Sequence, residues 1–196
     1  MNFVEALQKS MTDSKQHLFP VLEKVLDGEI HIVEGDDLNE TKRLLDTLAG
    51  IDLFAVNHDK GMRGIASRLQ WGKAWRTFTI RKERESGART EYEKRKYAIE
   101  HGYLYPKLTM QAYIDQDTVT VGIAYTEDII RCIEMGEASI RRTGTDQKGQ
   151  AYFYVINWDD MKRLGMRVWE KALPTAEAGA NKLLLSGSKF RFEAVV

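Results

Sequence analysis

Asp52 opens an apolar run, Ile51-Asp52-Leu53-Phe54-Ala55-Val56-Asn57, directly behind a helix stop at Ala49-Gly50. A turn, His58-Asp59-Lys60-Gly61, separates it from a second run that extends from Arg63 to Trp71. Where both runs are strands of one hairpin, side chains alternate between the two faces. Ala66, Arg68 and Gln70 then fall on one face and Ile65, Ser67 and Leu69 on the other. That places Arg68 and Gln70 as candidates to share a face with Asp52. Arg68 supplies positive charge there but cannot act as a base, because a guanidinium stays protonated. Asp52 itself has two readings that the residues leave open: a strand-start carboxylate that satisfies backbone amides, or a functional group.

Charge along the chain gives this hairpin its context. The 196 residues carry 29 Lys and Arg against 29 Asp and Glu, a formal net charge of zero. Residues 1–59 hold 5 basic and 12 acidic groups, whereas residues 60–107 hold 13 and 5. A block of charge +8 inside a neutral chain attracts polyanions locally. Its candidate nucleic-acid contacts are Lys60, Arg63, Lys73, Arg76, Arg81, Lys82 and Arg84, with Trp71, Trp75 and Phe78 interleaved. Packing in a core or at a sheet edge is the favoured reading of Trp71 and Trp75, ahead of base stacking. Around residues 90–100 a solvated helix laced with ion pairs is favoured, since Glu91, Glu93, Lys94, Arg95 and Lys96 lie close together.

The elements that must position these groups follow from periodicity. Residues 2–27 read as helix, interrupted near Thr12-Asp13-Ser14, with Pro20 in a first turn and Gly28 as the stop. A short strand at 29–34 and a helix at 39–49 follow. Strands at 51–57, 63–71 and 76–82 read as an antiparallel three-strand meander. A helix covers 89–101, strands cover 104–114 and 118–125, and Thr126 caps a helix to about 135. Residues 151–157 are a strand, and Asp159-Asp160 begin a helix. Arg141-Arg142 reads as a basic turn, 174–181 as a loop and 190–195 as an edge strand. The order predicts one domain over residues 1–196, of the α/β (α+β) class, with a central mixed sheet flanked by helices.

Several classes are excluded. A single cysteine, Cys132, rules out an intramolecular disulfide and any zinc site needing two thiolates. It lies among Ile129, Ile130 and Ile133 and reads as a buried small hydrophobe. The four histidines form no ligand pattern, and the phosphate-loop, dinucleotide and nucleophile-elbow motifs are missing. The first residues lack the basic and apolar regions of a signal peptide. No apolar stretch approaches the roughly 20 residues of a membrane span. The expected location is cytoplasmic, with no membrane partner.

The layout of a helix, then Gly50-Ile51-Asp52, then the hairpin resembles the PD-(D/E)XK nuclease superfamily, the restriction-endonuclease-like fold. The likeness runs over roughly residues 15–135, and the tail from Thr126 to Arg163 is similar to the closing part of small phage and mobile-element members. The resemblance implies a metal-binding Asp52 on the first strand and an acidic-x-Lys on the second. The latter falls on Ala66-Ser67-Arg68, or in a shifted register on Arg68-Leu69-Gln70. It implies Mg²⁺ as the cofactor if the protein is catalytic, held by Asp52 with Gln70 as a substitute ligand and Glu23, Glu40 or Asp46 as the third.

Three functions follow. The preferred one is a nuclease-like fold, phage or mobile-element encoded, that works by binding DNA, RNA or a protein of a nucleic-acid-processing or defence system. The second is an active Mg²⁺-dependent nuclease that uses Asp52, Arg68 and Gln70. The third is an interaction module driven by the segregated charge.

Overall fold

The computed structural model describes residues 12–32, 49–84, 87–116, 118–142 and 151–174. A π-helical turn, Ser14–Leu18, runs into helix α1, Phe19–Leu26. Pro20 sits in its first turn, where a missing N–H costs nothing. Val21, Leu22 and Leu26 form its buried stripe, continued by Leu18 of the π-helical turn. Asp27 ends the helix in a left-handed conformation, φ 52°.

Strands β1 (Glu29–Ile32), β2 (Leu53–Asn57), β3 (Gly61–Trp71) and β4 (Thr77–Arg84) come next, then helix α2 (Glu91–Glu100). They are followed by β5 (Leu108–Ile114), β6 (Thr118–Tyr125), helix α3 (Thr126–Glu134), β7 (Ser139–Arg142), β8 (Ala151–Asn157), helix α4 (Trp158–Arg163) and β9 (Val168–Pro174). The class is mixed α and β. One sheet has six strands in the order β1-β2-β3-β5-β6-β9, and a second has three in the order β4-β8-β7. Among the described strands of the larger sheet only β3 and β5 run parallel.

The expected meander is corrected. β2 and β3 do form an antiparallel hairpin, but β4 leaves the sheet and pairs with β8. The link between β3 and β4 contains two left-handed residues, Gly72 (φ 105°) and Arg76 (φ 52°), and they turn the chain out of the sheet plane. The place beside β3 goes to β5, whose seven residues are all buried and therefore suit a central position covered on both faces. Two further strands were not expected. Arg141 and Arg142 lie in β7 rather than a turn, and β9 closes the far edge against β6.

Each face of the large sheet has its own core. Ile65, Leu108, Met110, Ala112, Val119, Val121 and Ile123 pack against α1. On the opposite face Tyr113 and Ala124 meet Phe78, Ile80, Ile129, Cys132, Ile156, Trp158 and Met161, which joins the two sheets to helices α3 and α4. Cys132 is fully buried here, as its apolar neighbours imply. Gly122 of β6 is in contact with the Trp158 indole, in space that any Cβ would fill.

Among the described residues no helix is long and apolar enough to cross a membrane. Of the expected helix over residues 39–49 only Ala49 is described; the first eleven residues and the expected strand at 190–195 lie outside the described residues, and so do Glu40 and Asp46.

Candidate functional site

The Leu53↔Ile65 pairing of β2 and β3 fixes where Asp52 stands, one step before the ladder and beside Ala66. Its backbone N–H donates to the Ile65 carbonyl at 3.0 Å. Its carboxylate Oδ2 accepts from the Ser67 N–H at 2.6 Å. The strand-start reading is therefore the observed geometry. The same register aligns Asp52 with Ala66-Ser67-Arg68 rather than with the shifted alternative.

Alternation on β3 holds. The parallel pairing matches Ala66 with Thr109, Arg68 with Gln111 and Gln70 with Tyr113, so these six share the face away from α1. Asp52 and Arg68 line one half-open cavity of about 350 Å³. Gln70 does not line it. It belongs to a second cavity of about 760 Å³ with Trp75, Arg141, Asn157 and Asp160. Glu23 is exposed on α1, beyond the opposite face of the sheet, and is not brought to Asp52.

The residues that complete the first cavity come from α2, and the sequence reading had assigned them to a solvated surface. Thr90 caps this helix and forms a reciprocal capping box with Glu93. That fixes Glu91 in the first turn, with Lys94 and Arg95 one turn on and facing the same way. All three line the cavity. Arg68 Nη2 donates to both oxygens of Glu91, at 2.8 and 2.9 Å. Arg68 Nη1 donates to Thr79 Oγ1 at 3.1 Å, and that hydroxyl donates to Gln111 Oε1 at 3.1 Å. The Arg81 N–H adds a third hydrogen bond to Glu91, at 3.2 Å. The relay thus joins β3, β4, β5 and α2. The Arg68 and Arg81 guanidinium groups also stand 5.1 and 5.3 Å from the centre of the Phe153 ring.

Electrostatics follow from this arrangement. Burial pushes the Glu91 carboxyl upward, but Arg68, Arg95, the Arg81 N–H and the Arg81 charge outweigh it and hold the pKa below the usual carboxylate range. Burial pulls the Arg95 guanidinium down, with Glu91 and Asp52 opposing and Arg68 adding to the fall. An arginine remains charged through such a shift. Arg95 is 7% exposed, and its Nε finds no acceptor. Among the described residues three cations and two carboxylates therefore line the cavity, and each carboxylate already accepts from protein donors.

The residues do not fit Mg²⁺ as they stand. A hard divalent ion needs several free oxygen ligands and compensating negative charge. Both Glu91 oxygens face Arg68, Asp52 Oδ2 faces Ser67, and the charge of the described lining residues is net positive. Among the described residues no group of three His, Cys, Asp or Glu is placed to share an ion.

The remaining basic candidates are dispersed. Arg76 bridges Asp159 at 3.0 Å and Glu170 at 2.9 Å, and the Glu170 hydrogen bond leads the causes that raise its pKa. Lys60 pairs with Asp27 at 3.0 Å. Lys73 stands 5.1 Å from the Trp75 ring centre, and Lys82 pairs with Glu83 at 3.7 Å. Arg63 is half-buried opposite Ala55 on the hairpin. Arg84 ends β4, and its side chain lies outside the described residues. Trp71 and Trp75 sit in neither core and are 44% and 63% exposed.

Comparison with known proteins adds no relative: no family model matches the chain, and neither the curated proteins nor the solved structures give a match.

Proposed function

We propose that this protein binds nucleic acid through the phosphate backbone at the cavity between β3 and α2, and that it holds the strand without cutting it. One observation carries this reading: among the described residues three cations and two carboxylates line a half-open cavity, and the two carboxylates already accept from protein donors. Arg95, buried with its Nε unpartnered, adds positive charge from the cavity wall and strengthens the field that a phosphodiester meets there. Lys94 adds a flexible point charge from the same helix face.

The restriction-endonuclease-like kinship is part of the proposal. It is supported by the β2–β3 hairpin with Asp52 at its start, and by the crossover through β4 and α2 that brings β5 parallel to β3. In that frame Ala66 takes the place of the second acid and Arg68 that of the lysine. A site built to hold Mg²⁺ has become a site that holds a phosphate directly. The chemistry required of a hydrolase, an activated water beside a Lewis acid, then has no support from these groups.

Fluorescence anisotropy with labelled DNA and RNA tests the reading. Affinity should fall steeply as salt rises from about 50 to about 200 mM, because phosphate contacts release counterions. The same nucleic acids incubated with Mg²⁺ or Mn²⁺ should stay intact. Affinity indifferent to salt would overturn the backbone-binding reading. Cleavage that disappears in Asp52→Asn would establish the active nuclease instead.

A further inference from the structure

We infer that the C-terminal half of α2 carries a base-stacking platform and that the nucleic acid bound is single-stranded. This rests on the phosphate-binding reading and adds the form of the ligand. Lys94, Tyr97 and His101 are spaced i, i+3 and i+7, so one helical stripe leads from the cavity onto the open surface. Along it the Tyr97 and His101 rings stack at 4.0 Å between centres, 28° from parallel. His101 in turn lies over Tyr103 at 5.9 Å and 15°. The His101 Nδ1 pairs with the Tyr97 carbonyl at 2.8 Å, which fixes the imidazole against the helix end.

These rings serve no core. Tyr97 is 41% exposed and Tyr103 58% exposed, and neither belongs to either buried cluster. His101 and Arg89 lie over the Tyr97 ring, so the ring offered to the π-face of a base is Tyr103, backed by His101 and Tyr97. Charge favours a polyanion beside it. The Arg89 guanidinium stands 5.2 Å from the Tyr97 ring centre, and Lys94 and Arg95 lie one turn back. The nearby acids are engaged: Glu93 in the capping box, and Glu100 with Lys96 at 3.7 Å. A duplex keeps its bases paired inside the stack and cannot offer them to this platform, whereas a single strand can place its phosphates at the cavity and its bases on the rings.

The test uses the full chain and three labelled probes: an oligothymidine strand, an abasic backbone of equal length, and the oligothymidine annealed to its complement. Oligothymidine should bind more tightly than either of the others. Tyr97→Ala and Tyr103→Ala should each weaken oligothymidine by about tenfold or more while leaving the abasic strand unchanged. Tyr97→Phe should restore binding, and thermal melts of all variants should match the parent. Lys94→Gln should weaken all three probes alike. Ring variants that leave oligothymidine unaffected while Lys94→Gln weakens it would overturn the platform and leave the phosphate site standing. Duplex bound as tightly as the single strand would also overturn it. No binding of any probe would overturn both.

Discussion

Arg68 and Glu91 stand 23 residues apart in sequence, yet one guanidinium nitrogen reaches both oxygens of the carboxylate, at 2.8 and 2.9 Å. Between them lie the turn at Gly72, the whole of β4 and the start of α2. The pair is therefore the point where two sheets and a helix are tied, and each partner is only 26% exposed. Removing one charge strands the other in a poorly solvated place. Arg68→Met should cost about 2–3 kcal/mol of stability. The double variant Arg68→Met, Glu91→Met should recover part of that loss. Urea unfolding of the parent, the double variant and the two single variants, Arg68→Met and Glu91→Met, measures both, and an additive double variant would show that the pair does not couple.

Acidification should probe the same contact. The Glu91 carboxyl is held below its ordinary value by Arg68, Arg95 and Arg81 against the opposing effect of burial. A carboxylate whose folded pKa is depressed contributes stability that is fully present above its unfolded pKa, near 4.3. That contribution is lost as pH falls through the lower folded value. Glu91→Gln should thus be less stable than the parent at neutral pH, and the gap should narrow below about pH 4. Thermal melts from neutral to acid pH would show it, and a constant gap would contradict it.

Asp52→Asn separates holding from cutting in a second way. Asparagine keeps a carbonyl for the Ser67 N–H but removes a negative charge from the cavity wall. Nucleic-acid affinity should rise by about threefold to tenfold at low salt. A fall in affinity measured by anisotropy would mean that the carboxylate helps to hold the ligand.

Lys94→Gln should lower affinity across all sequences and reduce the slope of log affinity against log salt by about one. An unchanged slope would place Lys94 away from phosphate.

Gly122→Ala addresses the core behind the site. A methyl group there meets the Trp158 indole, which is fully buried and in ring contact with Phe78 and Tyr113, at 5.6 and 6.0 Å between centres. The indole cannot retreat without disturbing both. The substitution should destabilise by about 3 kcal/mol, readable as a lowered denaturant midpoint.

What the sequence disclosed was local. Alternation along β3 set Ala66, Arg68 and Gln70 on one face, and the helical stripes of α1 and α3 announced their buried sides. Thr90 and Glu93, three apart, carried a readable start signal for α2, and with it the shared face of Glu91, Lys94 and Arg95. The pairing of distant pieces could not be read. β4 alternates well enough to have joined the hairpin, and only the left-handed Gly72 and Arg76, with a better central partner in β5, sends it elsewhere. Glu91 was set aside for the same reason: its partner lies across that diversion. β9 mixes half-buried and exposed positions and ends in Pro174, so it offered little contrast to detect.

The pairing of β4 with β8 also has a consequence in time. A nascent chain that has emerged only through α2 already carries Arg68, Thr79 and Glu91, but the strand that anchors β4 is still to be synthesised. Closing so long a loop is slow, and contacts that depend on it form late. The cavity between β3 and α2 should therefore be among the last features to mature, after the β2–β3 hairpin has paired, and a chain released before β8 should leave the guanidinium and its carboxylate unassembled.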